Sequence, residues 1–319
     1  MSYTIETIAE RISARRVGDT PATIDWLLTD SRSLSFPEET LFFALTTKRN
    51  DGARYIPDLY SRGVRNFVVS KEAYKWVESG QLAMSNSDML AVNFLVVANP
   101  LKALQKLAEQ HREQFQIPVI GITGSNGKTI VKEWLHQLLS PERVIVRSPR
   151  SYNSQIGVPL SVWQMNEQSE LAIFEAGISE MGEMRALQNI IKPTIGILTN
   201  IGGAHQENFF SLQEKCMEKL SLFKNCDVVI YNGDDEFISN CVAKSMLSAR
   251  EIAWSRKDME RPLFISKVEK KEDCTVTSFS DGIFPTYYCE SPHGTTFLYL
   301  YNFAQPSLRI VEHIGNPFY

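Results

Sequence analysis

At 319 residues the chain has room for two domains with sizeable cores, and 43% hydrophobic with 22% charged residues is a folding composition, which excludes a mini-protein and a disordered chain. Lys+Arg number 33 against 37 Asp+Glu, so the net charge of -4 leaves no basic excess to hold a polyphosphate backbone and argues against nucleic acid as a partner. The five cysteines (Cys216, Cys226, Cys241, Cys274, Cys289) are odd in number and at least ten residues apart, so they write neither a metal knuckle nor a disulfide framework, and a reducing cytoplasm is expected.

The start, MSYTIETIAERIS, has acidic residues where a signal peptide would be apolar, and no apolar run approaches about 18 residues, so neither export nor a membrane span is expected. From about residue 20 to 112, β-rich runs (LFFAL at 41–45, NFVVS at 66–70, NFLVVA at 93–98) alternate with helical stretches, which reads as a small α/β domain over 1–112. Its last helix has Pro100 in the first turn and Leu101, Leu104, Ala108, His111 and Phe115 at helical spacing.

From Ile117 the alternation becomes regular. Strands are expected at 118–122, 143–147, 171–176, 194–200 and 228–231, with helices at 127–139, near 156–164, at 182–191 and at 211–223. Strands alternating with helices imply right-handed crossovers and hence a mostly parallel sheet flanked by helices, with ligands beyond the carboxyl ends of its strands. This central domain is assigned to 113–290. Segments 263–268, 274–279 and 284–289 read as antiparallel strands, and 291–319 reads as an irregular tail.

The most specific chemical signal is GITGSNGKT, Gly121 to Thr129, between a β-rich apolar run and a helix with Val131, Trp134, Leu135, Leu138 and Leu139 on one face. In such a loop the backbone N–H groups of Gly124, Ser125, Asn126 and Gly127 can face a phosphate, Lys128 supplies positive charge, and the Thr129 hydroxyl can ligate Mg2+. A nucleoside triphosphate site follows. The spacing departs from the common G-x4-G-K-[ST] loop, because Ile122 stands five before Gly127.

Other polar residues allow two readings. Glu175 ends a strand expected beside the loop strand, where a carboxylate can reach a Mg2+ between phosphates, or simply cap a helix. His205 follows the 194–200 strand and is as readily structural. Lys215 and Lys219, one helical turn apart, are expected on a solvated face. Asn153 suits a turn, Asn232 and the Asp234-Asp235 pair suit a loop and helix cap, and Ser31-Arg32 suits a capping turn.

The variant T-G-x-N-G-K-T resembles the ATP loop of the Mur ligases, which build the peptide stem of bacterial peptidoglycan. YNSQIGVPLSV (152–162), FEAGISEMGEM (174–184) and TNIGGAHQENF (199–209) follow in the order and spacing of the branch that adds D-alanyl-D-alanine to UDP-N-acetylmuramoyl-tripeptide. TDSR (29–32), LFFAL and Asp51-Gly52 resemble that branch's N-terminal substrate domain, so the likeness covers roughly residues 20–245.

The resemblance implies an ATP-dependent carboxylate-amine ligase working through an acyl phosphate, with ATP and Mg2+ as cofactors and the UDP-linked tripeptide and D-alanyl-D-alanine as partners. It implies catalytic roles for Lys128, Lys219 and His205, and nucleotide contacts from Gly124 to Thr129 and from Asn232. It assigns metal ligation to Thr129, Glu175 and, for a second Mg2+, His205, and substrate contacts to Ser31, Arg32 and Asn153. Lys219 falls fourteen residues after His205, where many members carry a carbamylated lysine. The family also has a C-terminal domain that receives the amine, and this chain is expected to end before it; in some bacteria the branch is fused to an alanine racemase. The alternatives are a nucleotide- and UDP-substrate-binding fragment without turnover, another Mur ligase, or a folylpolyglutamate synthase.

Overall fold

Apolar runs such as LFFAL and NFVVS lack polar alternation, which suits strands covered on both faces. In the computed structural model, which describes residues 1–47, 50–81, 91–203, 208–270, 275–279 and 286–288, this is how they are used. The chain divides into two units, Met1–Gln116 with Gln155–Glu167, and Ile117–Ser154 with Gln168–Tyr319.

The first unit contains β1 (Tyr3–Thr4), α1 (Ile5–Arg11), β2 (Arg15–Val17), β3 (Thr23–Ile24), β4 (Trp26–Leu28), β5 (Thr40–Phe43), α2 (Ile56–Ser61), β6 (Asn66–Ser70), α3 (Lys71–Glu78), β7 (Asn93–Val97) and α4 (Pro100–Arg112). β1 pairs with β3, and the other strands form a sheet in the order β2-β7-β6-β5-β4, parallel except for β2 on its edge. Alternate residues go to opposite faces. Phe42, Phe67, Val69 and Phe94 pack with Ile56 of α2 and Val77 of α3. Leu41, Phe43, Val68 and Leu95 pack with Ile8 of α1 and Leu104 of α4.

The helix expected near 156–164 is present as Gly157–Val162, but it belongs to this first unit and not to the alternation that surrounds it in sequence. Its apolar residues account for this, since Ile156, Leu160 and Trp163 join the core beside Leu104 and Leu107. Polar contacts fasten it: the Trp163 indole donates to the Asp25 carbonyl at 2.8 Å, and Gln105 Nε2 donates to Gln155 Oε1 at 2.9 Å. Buried His111 on α4 has Nδ1 2.7 Å from the Tyr3 hydroxyl and Nε2 3.0 Å from the Met165 carbonyl.

The second unit contains β8 (Val119–Thr123), α5 (Lys128–Leu139), β9 (Ile145–Arg147), β10 (Leu171–Glu175), α6 (Glu183–Ile191), β11 (Ile195–Leu198), α7 (Leu212–Leu220), β12 (Val228–Asn232), α8 (Glu236–Ser245), β13 (Arg250–Ser255), β14 (Leu263–Lys270), β15 (Thr275–Phe279) and β16 (Thr286–Tyr288). Seven strands run parallel in the order β14-β13-β12-β11-β8-β10-β9, and β15 and β16 continue the sheet antiparallel beyond β14. The α/β class with a mostly parallel, helix-flanked sheet is therefore as expected. β8 lies between β10 and β11, so its carboxyl end sits where strand order reverses, the usual ligand position in an open parallel sheet.

β14 is parallel to β13 and antiparallel only to β15, so the antiparallel expectation for 263–268 holds on one edge alone. On α5, Val131 and Leu135 are buried but Trp134, Leu138 and Leu139 are half-buried, and Lys132 takes a buried place the apolar pattern did not assign. The tail over 291–319 lies outside the described residues. Among the described residues no helix is long and apolar enough to cross a membrane.

Candidate nucleotide site

The loop from Gly124 to Thr129 leaves buried β8 and turns into α5. Gly124 has φ +145°, and a Cβ there would stand 2.0 Å from Thr199 Oγ1, so only glycine fits. Gly127, with φ +82°, occupies the N-cap without a side chain to cover the helix end. The stretch after β11 braces the loop. Asn200 accepts the Ser125 N–H on its carbonyl and the Asn126 N–H on its Oδ1, both at 2.8 Å. Thr199 Oγ1 donates to the Asn126 carbonyl at 2.6 Å, and the Gly202 N–H donates to Ser125 Oγ at 2.9 Å. Ser125 and Asn126 thus spend their N–H groups on Asn200. The first-turn N–H groups of α5 are the donors that a helix start offers an anion.

Thr129 and Lys132, three apart on α5, both reach Glu175 at the end of β10. Thr129 Oγ1 donates to Glu175 Oε2 at 3.0 Å, and Lys132 Nζ lies 2.9 Å from Oε1 as an ion pair, although no donor is aligned on Oε1 as a hydrogen bond. Both Lys132 and Glu175 are fully buried. The Glu175 N–H donates to Ser148 Oγ at 3.2 Å, which fixes the strand end. A buried carboxylate beside a hydroxyl offers hard oxygen donors of the kind Mg2+ takes, so Glu175 and Thr129 fit that ion. Lys132 is the site residue that sequence reasoning missed; its only signal was a lysine one turn along from Thr129.

Three lysines converge on the loop. Lys128 Nζ donates to the Gly124 carbonyl at 2.9 Å, Lys219 Nζ to the same carbonyl at 3.3 Å, and Lys215 Nζ to the Gly202 carbonyl at 2.6 Å. The solvated face that is the default for a lysine pair at this spacing does not hold, for Lys215 or for Lys219, which the resemblance sets apart: they are 2% and 3% exposed, because α7 packs that face against the loop. Burial, and then the charges of Lys128 and Lys215, push Lys219 down to about 8. Burial likewise lowers Lys128, with Glu175 opposing the shift.

Asn153 stands at the carboxyl end of β10, where its carbonyl accepts the Gly177 N–H at 2.8 Å. A Cβ on Gly177 would lie 2.9 Å from Asn153 Oδ1, so that glycine makes room for the amide. Asn232 Oδ1 accepts the Asp234 N–H at 2.9 Å, Asp234 ties down the Arg256 N–H at 2.9 Å, and Asp235 caps α8. In the first unit, Asp30 caps the turn Ser31–Ser33, and Arg32, 87% exposed, pairs with Asp30 at 2.6 Å. His205 lies outside the described residues. Among the described residues no cluster of three or more His, Cys, Asp or Glu could hold a metal.

The family described as Mur ligase middle domain matches residues 122–291, more than half of the chain. The chain belongs to the Mur ligase family. It is 36% identical over 200 residues to the UDP-N-acetylmuramoyl-tripeptide--D-alanyl-D-alanine ligase of Borreliella burgdorferi, a match covering 62% of this chain and 42% of that protein. The Bacillus subtilis enzyme of the same name is 30% identical over 242 residues, covering 74% of this chain and 50% of that protein. The chain therefore spans about half the length of the curated relatives it matches. Its fold is that of MurF from Acinetobacter baumannii, with TM-score 0.75 at 22% identity over 90% of this chain and 60% of that one. The MurF ligase from Thermotoga maritima in complex with ADP gives TM-score 0.67 at 23% identity over 82% of this chain and 57% of that one.

Proposed function

We propose that this Mur ligase chain takes ATP and Mg2+ at the Gly124–Thr129 loop and UDP-N-acetylmuramoyl-tripeptide as acceptor, in the reaction that adds D-alanyl-D-alanine to the tripeptide. The observation that carries the reading is the Thr129–Glu175 contact of 3.0 Å beneath a loop lined by half-buried Lys128 and buried Lys219. The names of the curated relatives support the substrates, and the ADP in the T. maritima structure supports the nucleotide.

In this reaction a carboxylate oxygen of the tripeptide attacks the γ-phosphorus and ADP leaves; the dipeptide amine then attacks the acyl carbon and phosphate leaves. Little covalent chemistry falls to the protein, whose task is positioning and charge neutralisation. Lys128 and Lys219 neutralise phosphate charge from a water-poor setting, where each is worth more than in bulk solvent. Thr129 and Glu175 would hold Mg2+, which when bound offsets the charge of the β- and γ-phosphates. We assign a second metal contact to His205, acceptor positioning to Asn153, an adenosine-side contact to Asn232, and uridine-nucleotide contacts to Ser31 and Arg32. A cytoplasmic reaction fits substrates of this kind.

The coverage of the relatives favours one second reading, in which these 319 residues bind nucleotide and UDP-substrate without ligating. Phosphate release assayed with D-alanyl-D-alanine, and with D-alanine alone, beside calorimetry with ADP·Mg2+ and the UDP-tripeptide, separates the two. Dipeptide-dependent release supports ligation. Binding of both compounds without release supports the second reading, and binding of neither overturns both.

A further inference from the structure

The carboxylate that suits a divalent cation already has a cation of its own. Lys132 Nζ, wholly buried, is 2.9 Å from Glu175 Oε1 and is held there by donating to the Ser148 carbonyl at 2.8 Å and to the Arg150 carbonyl. Its other acidic neighbour, Glu133 at 3.2 Å, is itself paired with Arg147 at 2.5 Å, so Glu133 does not release Lys132 from Glu175. The remaining donor at the site, Thr129 Oγ1 on Oε2, is neutral.

With one hydroxyl, one carboxylate compensated by Lys132, and the Lys128 ammonium close enough to act on that carboxylate, the pocket carries no net negative charge. It therefore lacks the attraction needed to dehydrate Mg2+ unaided, and the phosphates must bring the missing negative charge. We propose that Lys132 is a positioning residue that makes metal binding at Glu175 depend on nucleotide: it holds Oε1, leaves Oε2 on the Thr129 side, and cancels the carboxylate charge until phosphates arrive. This rests on Glu175 being a metal ligand, as assigned above.

The test is Mn2+ binding to the 319-residue chain, read by the EPR signal of free Mn2+ with and without ADP, after subtracting the Mn2+ that the same ADP removes in the absence of protein. Wild type should take up Mn2+ well only with ADP. Lys132→Met, which strips the counter-charge, should bind Mn2+ without ADP tighter than wild type by about tenfold or more. Lys132→Arg should keep the dependence on ADP, and Lys132→Met combined with Glu175→Gln should lose the gain, because both buried charges are then gone.

Should Lys132→Met be unfolded without metal, recovery of its circular dichroism on adding Mn2+ supports the proposal, and failure to recover overturns it. Equal Mn2+ affinity of folded Lys132→Met and wild type without ADP also overturns it. Glu175→Gln distinguishes the two failures. If its binding of Mn2+ with ADP is unchanged, the ligand assignment falls and the proposal with it; if that binding weakens while Lys132→Met shows no gain, the proposal alone falls.

Discussion

Lys219 is a cation held where a cation is costly. Its pKa falls from an ordinary 10.5 to about 8, so between those values the folded chain binds fewer protons than the unfolded one, and stability rises with pH across that window. Below pH 8 the charged form is retained at a cost of about 3 kcal/mol, the size a shift of this order implies. Phosphates bound beside it, as proposed for this loop, would favour the charged form and raise the pKa again. ADP·Mg2+ binding at pH 8.5 is therefore expected to take up a large fraction of a proton, measured by calorimetry in buffers of different ionisation enthalpy, and Lys219→Met should abolish the uptake. Equal heats in all buffers for wild type would remove Lys219 from the phosphate site. Lys128 and Thr129 were legible in the sequence because a loop motif fixes their place against the helix start. Lys219 was marked only by its spacing after His205, and Lys215 and Lys132 not at all, because a lysine at helical spacing reads as solvated and only tertiary packing against the Gly124, Gly202 and Ser148 carbonyls buries these three.

Among the elements, α4 depends on a histidine that must stay neutral. Burial lowers His111 to about 4, against 6.5 unfolded, so the folded chain binds fewer protons in between and stability falls as pH drops from about 6.5 towards 4. The loss approaches about 3 kcal/mol at pH 4, and His111→Gln should flatten it, as urea unfolding at pH 7 and 4.5 would measure. An unchanged slope in His111→Gln would mean other groups set the acid sensitivity. The periodicity that gave β8, β10, β11 and β12 to within about two residues could not say which sheet a helix packs on, and the short helix Gly157–Val162 went to the first unit through Trp163, Ile156 and Leu160. Both α8 and β13 escaped the sequence reading. EFISNCVAKS is poor in strong helix formers and relies on the Asp235 cap, and REIAWS begins with two charged residues.

At the scale of the molecule, the α/β class and the parallel sheet were legible because strands and helices alternate for more than a hundred residues, and a crossover connection has one favoured hand. The reversal of strand order around β8 was not written in any local pattern, yet it is what brings the Glu175, Asn200 and Lys219 segments to one loop. That convergence is the central claim, a nucleotide site at the carboxyl end of β8 built on Lys128. Its most direct test is calorimetric titration of the 319-residue chain and its Lys128→Ala variant with ADP·Mg2+. Lys128→Ala is expected to keep its unfolding midpoint near wild type and to bind ADP·Mg2+ weaker by about tenfold to a hundredfold, the loss of one charge-assisted contact in a desolvated site. Equal affinity in two folded proteins would contradict it.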